Sequence, residues 1–128
     1  MKPEENQFPA ELLNVTIALA NNLAASEPFI LYQQALSRFD SDSAAQTLLE
    51  NISRTQAAMR KRQTRNEVNK TDIDQLRALQ SEAQANPVIM EYSQAQQNAV
   101  GYLKEINKEI SQLIGVDFAS LARRSSCC

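Results

Sequence analysis

Apolar residues recur along this chain at intervals of three and four, interrupted by polar caps and prolines, and that period predicts helices from one end to the other. The first helix is expected over residues 9–25. Its Leu12, Leu13, Val15, Ile17, Leu19, Ala20 and Leu23 cover a broad face, which predicts a well-buried helix. Ser26 then reads as an N-cap, with Glu27 and Pro28 in the first turn of a second helix reaching about Arg38. Phe29, Tyr32, Leu36 and Phe39 form its stripe.

Residues 40–43 are a linker rich in caps, and Ser43 with Gln46 has the spacing of a capping box. The third helix runs to about Arg62 with a narrow stripe of Ala45, Leu48, Ile52, Thr55 and Met59. Residues 63–70 carry no apolar stripe and are expected to form a mobile loop. Thr71 with Asp74 restarts a helix bearing Ile73, Leu76, Leu79 and Ala83. Asn86-Pro87 is a cap followed by proline at the first helical position. From there only Gly101 interrupts the helix before Ile114, at a cost of about 1 kcal/mol relative to alanine. Ile89, Tyr92, Gln96, Ala99, Leu103, Ile106, Ile110 and Leu113 make the stripe. Gly115 is the expected stop, and Asp117 caps a last short turn through Leu121.

At about 1.5 Å per residue the last long helix spans roughly 42 Å. A compact sphere of this chain length is only about 36 Å across. The expected fold is therefore all-α: an elongated antiparallel bundle of about five helices with a long C-terminal helix. Residues 1–122 read as a single helical domain and 123–128 as a flexible tail carrying a cysteine pair. The long stripe invites a helix from another chain, so an oligomer is expected.

Composition narrows the function. Two glycines and four prolines in 128 residues leave little room for many short strands and tight turns. Thirteen basic against fifteen acidic side chains exert no global pull on nucleic acid or anionic membrane. No basic region leads into an apolar run at the N-terminus, and no apolar stretch approaches the roughly 18 residues of a membrane span. The expected compartment is the cytoplasm. The absence of histidine removes the commonest general base and the serine and cysteine triads. With Gly101 and Gly115 as the two glycines, no phosphate-cradling loop exists, so no enzyme is expected.

Two features carry candidate chemistry. Cys127 and Cys128, adjacent at the C-terminus, are too close in sequence to staple a loop. They are candidate thiolate ligands of a metal or iron–sulfur cluster, or a redox switch, and the plain alternative is an incidental tail. A four-thiolate cluster would need ligands from other subunits. Arg123 and Arg124 nearby favour the thiolate form. The second feature is the basic stretch Arg54, Arg60, Lys61, Arg62 and Arg65. On a helix Arg54, Lys61 and Arg65 lie close to one face with Arg62 beside them, a surface for RNA or an acidic partner. The alternative is a solvated helix end whose last turn favours cations. No aromatic residue is interleaved for base stacking. Tyr92 and Tyr102 read as core residues, and Glu105 and Glu109, alternating with Lys104 and Lys108, as surface charge.

Three blocks carry a resemblance: "ASEPFILYQQAL", then "LLENISRTQAAMRKRQ", then "IDQLRALQSEAQANPVIMEYSQAQQNAVGYLKEINKEISQLIGVDFASLA". Together, over about residues 10–121, they resemble the YlbF/YmcA family of small bacterial helical regulators. The Ser-Glu before an aromatic second helix and the Asn-Pro opening the last long helix are its most telling elements. The resemblance implies an antiparallel helical bundle, usually self-associated, acting as an accessory regulator without enzymatic activity. In one setting such proteins join a third in a complex that carries iron–sulfur clusters and influences RNA processing by RNase Y, with effects on sporulation, competence and biofilm formation. Cysteines near the C-terminus are that family's cluster ligands, and Cys127 and Cys128 are the positions here that match, although their adjacency departs from a spaced pair.

The expectation is thus a regulatory or adaptor protein acting through protein–protein interaction. It is expected as a homodimer or as a hetero-oligomer with related helical proteins. The alternatives are an RNA-associated helical protein using the stretch over residues 54–65, and a thiol redox-sensing dimer.

Overall fold

The computed structural model describes residues 8–124. Among them are six helices and no strand: α1 (Ala10–Ala25), α2 (Glu27–Asp40), α3 (Ser43–Thr64), α4 (Lys70–Ala85), α5 (Pro87–Ile114) and α6 (Phe118–Arg124). The protein is an all-α bundle. The sixth helix stands where a short turn capped by Asp117 is predicted, and it continues past Leu121 to Arg124.

Local chemistry explains most boundaries. Asn86 caps α5, accepting from the backbone N–H groups of Val88 at 3.0 Å and Ile89 at 3.2 Å, and Pro87 takes the first helical position. Gly115 closes the same helix at φ 79°, a left-handed conformation that favours glycine. Ser26 sits at the α1–α2 junction as expected, but its hydroxyl donates back to the Leu23 carbonyl at 2.6 Å and caps nothing ahead.

Three predicted starts and stops differ. The Ser43–Gln46 box does not form: Asp42 is the cap, accepting from the Ala45 N–H at 3.0 Å. Gln46 turns back instead, donating to the carbonyls of Phe39 at 3.2 Å and Asp40 at 3.0 Å at the end of α2. The fourth helix opens before Thr71, because Asn69 and Asp72 make a reciprocal capping box. The Asp72 N–H donates to Asn69 Oδ1 at 2.9 Å, and the Asn69 N–H donates to Asp72 Oδ2 at 3.3 Å. The loop predicted over 63–70 shrinks to residues 65–69, a turn stitched by Glu67 N–H donating to the Arg62 carbonyl at 2.9 Å. Asn66 takes φ 55° there, a left-handed conformation that asparagine tolerates.

The most extensive packing is α2 against α5. They run antiparallel: Phe29 near the start of α2 meets Tyr102 edge-on at 6.4 Å, while Phe39 near its end stacks on Tyr92 at 5.1 Å. α3 and α4 form a hairpin beside them. Their shared core is Ala45, Leu48, Ala83 and Ile89, flanked by Phe39, Leu49, Ile52, Leu79 and Val88. Among the described residues five of the seven buried apolar ones are alanines (Ala35, Ala45, Ala83, Ala95, Ala99), so the backbones approach closely where they cross.

The stripe of α3 is inward as predicted. On α5 the buried positions are Ile89, Ala95 and Ala99; Gln96 is exposed and the smaller Ala95 takes the inward place. The larger correction concerns α1. Its broad apolar face predicts a buried helix, yet α1 contains no buried residue. At about 100° per residue, the apolar arc from Val15 through Leu12 and Leu23 to Ile17 covers about 200° of the circumference. Packing against α2 covers little of it, with Leu23 half-buried.

Candidate interaction surface

Val15 is 64% exposed, Leu12 51%, Ile17 50%, and Leu13 and Leu19 about two-fifths. Glu11 is the one charged residue in the sixteen of α1. A helix this apolar and this open leaves its hydrophobic stabilisation unrealised within the chain.

The far half of α5 is open in the same way. Its stripe is covered by α2 as far as Tyr102, and then continues through Leu103, Ile106, Ile110, Leu113 and Ile114, of which Ile106 and Ile110 are half-buried and the others exposed. Leu113 is 86% exposed. Lys104, Glu105 and Lys108 lie on the opposite side of the helix and Glu109 on the stripe's flank, as the sequence pattern expects of a solvated face. α6 folds back on the flank of this segment. Two α5 side chains one turn apart hold it: Ser111 Oγ accepts from the Phe118 N–H at 3.1 Å, and Asn107 Oδ1 from the Ala119 N–H at 3.0 Å. Asp117 closes the junction by accepting from the Ser120 hydroxyl at 2.7 Å. Hydrogen bonds from Ser120 and then Asn107 hold the Asp117 carboxyl below its ordinary pKa. Docked so, α6 adds Phe118 and Leu121, both about half exposed, to the apolar surface. Sequence reasoning missed the Asn107–Ser111 pair, which shows only as polar residues beside an apolar stripe.

The basic stretch lies on the second half of α3 and its C-cap. Arg54 and Lys61 share a face, while Arg60 points to the other side of the helix. Two of the five cations have acidic partners within the chain. Arg54 donates to Glu50 at 2.7 Å, one turn back on the exposed surface, and Arg62 pairs with Asp72 at the start of α4. Both arginines border an open hollow of about 250 Å³ with Met59 and Gln75. The guanidinium of Arg62, followed by the Asn69 N–H, lowers the pKa of Asp72, which is 7% exposed. Asp72 therefore joins two helices: it completes the cap of α4 and anchors the end of α3. The sequence shows this residue only as one acidic position among several.

Aromatic residues seal α2 on α5. Tyr32 lies 6.0 Å from Tyr92, and Phe39 stacks on Tyr92 at 5.1 Å. Hydrogen bonding with Tyr32, then burial, raises the Tyr92 pKa above its ordinary 10.0. Tyr92 is a core residue as predicted, whereas Tyr102 is 38% exposed. Cys127 and Cys128 lie outside the described residues. Among the described residues no group of three or more His, Cys, Asp or Glu side chains is placed to hold a metal ion. No helix among them is long and apolar enough to cross a membrane.

The model of one protein family, described as control of competence regulator ComK, YlbF/YmcA, matches residues 12–114 of this sequence. The chain belongs to the YlbF/YmcA family. No match was found among curated proteins or among solved structures. The matched segment takes in nearly all of α1 and the whole of α2 to α5. Both uncovered apolar stretches up to Ile114 thus belong to the part shared with the YlbF/YmcA family, whereas α6 and the tail cysteines lie beyond it.

Proposed function

We propose that this YlbF/YmcA protein is a non-enzymatic cytoplasmic adaptor that regulates competence-type gene expression by docking its exposed helical faces on other protein chains. One observation carries the reading: α1 is apolar over most of its circumference and has no fully buried residue within its own chain. A helix of that composition is stabilised by covering its face, and a second protein surface supplies the cover. The family's description as a control of the competence regulator ComK supports a regulatory role.

The test is complementation in the encoding bacterium. A deletion strain receives either the wild-type gene or Val15→Glu/Ile17→Glu, and a competence reporter is read alongside the amount of each protein. The variant is expected to accumulate normally and to fail to complement. Full complementation by the variant would refute the reading.

Iron–sulfur ligation through Cys127 and Cys128 is the resemblance's finer implication. Two thiolates do not complete a four-ligand cluster, so this chain by itself does not fit the group. Anaerobic purification with partner chains, followed by iron and sulfide analysis of wild type and Cys127→Ser/Cys128→Ser, tests a shared cluster. RNA contact through Arg54, Arg60, Lys61, Arg62 and Arg65 predicts salt-dependent binding that disappears when Arg60, Lys61 and Arg62 become alanine.

A further inference from the structure

The α3–α4 hairpin concentrates positive charge that the rest of the chain does not share. From Arg54 to Arg77 stand seven basic and three acidic side chains, whereas the remaining residues carry six basic against twelve acidic. A chain of net charge -2 is thus divided into a cationic hairpin end and an anionic remainder. The division matters at short range, because the fields of exposed charges fade over about 10 Å at 0.1 M salt. We infer that Arg54, Lys61 and Arg65 on α3 form a docking surface for a short acidic peptide segment of another protein, with one of its carboxylates seated between Arg54 and Arg62. This surface stands on other helices than the apolar faces that carry the proposed function.

The structure separates the five cations of this stretch by role. At about 100° per residue, Arg54, Lys61 and Arg65 lie within about 40° of one another, and Arg60 is about 100–140° away from them. Arg62 turns toward α4 and is committed to the buried Asp72. Arg54 holds Glu50 at 2.7 Å with both side chains more than three-fifths exposed. An exposed pair one helical turn apart is weak, so an incoming carboxylate can displace Glu50. Among the described residues no carboxylate pairs with Lys61 or Arg65. A helix C-terminus favours cations in its last turn, but Arg54 lies nearly three turns before the end of α3, beyond the reach of that field.

Three features select a short acidic peptide as the occupant. The cations span about 16 Å along α3, the length of about five extended residues. Arg54 and Arg62 border an open hollow of about 250 Å³ lined also by Thr55 and Gln75, which offers a carboxylate both room and hydrogen-bond donors. Nearer the start of α3 the charge reverses: the next hollow, of about 350 Å³, is bordered by Glu82, and Glu50 stands beside Arg54. A long polyanion such as RNA would run from the cations onto these carboxylates. No aromatic side chain lies between Phe39 and Tyr92 to stack a base.

The experiment is an NMR titration of the isotopically labelled full chain, in reductant at low ionic strength, with hexaglutamate and separately with hexauridylate. Hexaglutamate is expected to shift the amide signals of residues 54–65 and of the first turn of α4, and the shifts should fade as salt is added. Arg54→Gln/Lys61→Gln/Arg65→Gln should weaken binding about 10-fold, since each exposed pair contributes roughly two- to threefold. Arg60→Gln should leave it within about twofold. Glu50→Gln should tighten it about twofold, because Arg54 then has no competing carboxylate. All these side chains are exposed, so far-UV circular dichroism is expected to stay helical.

No localised shift at millimolar hexaglutamate would overturn the inference. So would an equal loss in Arg60→Gln and the triple variant, or a Glu50→Gln variant that binds no tighter. Tighter binding of hexauridylate through the same three cations would overturn it in favour of RNA. Val15→Glu/Ile17→Glu is expected to bind hexaglutamate as the wild type does. A negative titration therefore leaves the apolar-face reading standing, and full complementation by that α1 variant leaves the hairpin surface standing.

Discussion

Leu48 and Leu113 are chemically identical residues on helical stripes of the same period, and the fold makes them unequal. Leu48 is 8% exposed in the core between α3, α4 and α5, while Leu113 is 86% exposed. Leu48→Ala removes three carbons from a covered site, a transfer loss of about 2.4 kcal/mol. The residual cavity adds up to about 2 kcal/mol if its walls hold still. Ala45 and Ala83 lie on tightly crossed backbones and cannot move in, but the half-buried Leu49 and Ile52 can relax. The expected loss is therefore about 3 kcal/mol. Leu113→Ala in a dissociated protomer should cost under about 0.5 kcal/mol, because its surface is already in water.

The assay is urea unfolding followed by far-UV circular dichroism, run at a protein concentration low enough to keep chains apart. A chain of this size is expected to have a slope near 1.5–2 kcal/mol/M, so Leu48→Ala should lower the midpoint by about 1.5–2 M. Leu113→Ala should leave it almost unmoved. Losses within about 1 kcal/mol of each other, or a Leu48 loss below about 1 kcal/mol, would refute the placement of the core.

Other expectations follow from single positions. Asp72 has its pKa lowered by Arg62, so its contribution is fully present above the unfolded value near 3.8 and is lost as pH falls through the lower folded value. Unfolding midpoints of wild type and Asp72→Asn should accordingly converge in that acid range and differ at pH 7; a constant gap from pH 7 to pH 2 would contradict the pairing. Asn69→Ala breaks the reciprocal box and should cost about 1 kcal/mol, measured by urea midpoint, with faster hydrogen exchange in the first turn of α4. Gly101 lies inside α5, and a Cβ placed there meets nothing within 4 Å. Gly101→Ala should therefore raise stability by roughly 0.5–1 kcal/mol, and a loss would show that another chain presses on that side of α5. Gly115 has equal room but φ 79°, so Gly115→Ala should destabilise by about 1 kcal/mol and loosen α6, read by limited proteolysis after Arg123.

Helices and their ends were legible along the chain wherever the signal is local. Asn86-Pro87, Gly115 and Asp117 act within a few residues of themselves, so their roles follow from the linear order. The capping boxes at Ser43 and Thr71 misled because several polar residues stood within a turn of each other. Which of them turns toward the backbone depended on neighbours such as the carbonyls at the end of α2, reached by Gln46. The basic stretch was visible as a run of cations. That two of the five face acidic partners required either the helix turn joining Arg54 to Glu50 or the α3–α4 hairpin joining Arg62 to Asp72.

Periodicity determined that the described residues form an all-α fold and which side of each helix is apolar, and local caps, prolines and glycines marked where most helices begin and end. It also determined that α5 is too long for a compact sphere of this chain length. Only the tertiary structure decided which apolar faces are covered. α2 and α5 meet over one half of a stripe and leave much of the other half exposed, and α1, the most apolar helix, has no fully buried residue. An apolar face records that a helix needs a partner, because burial lowers its free energy wherever the cover comes from. It does not record whether the partner is in the same chain, and three-dimensional packing decides that.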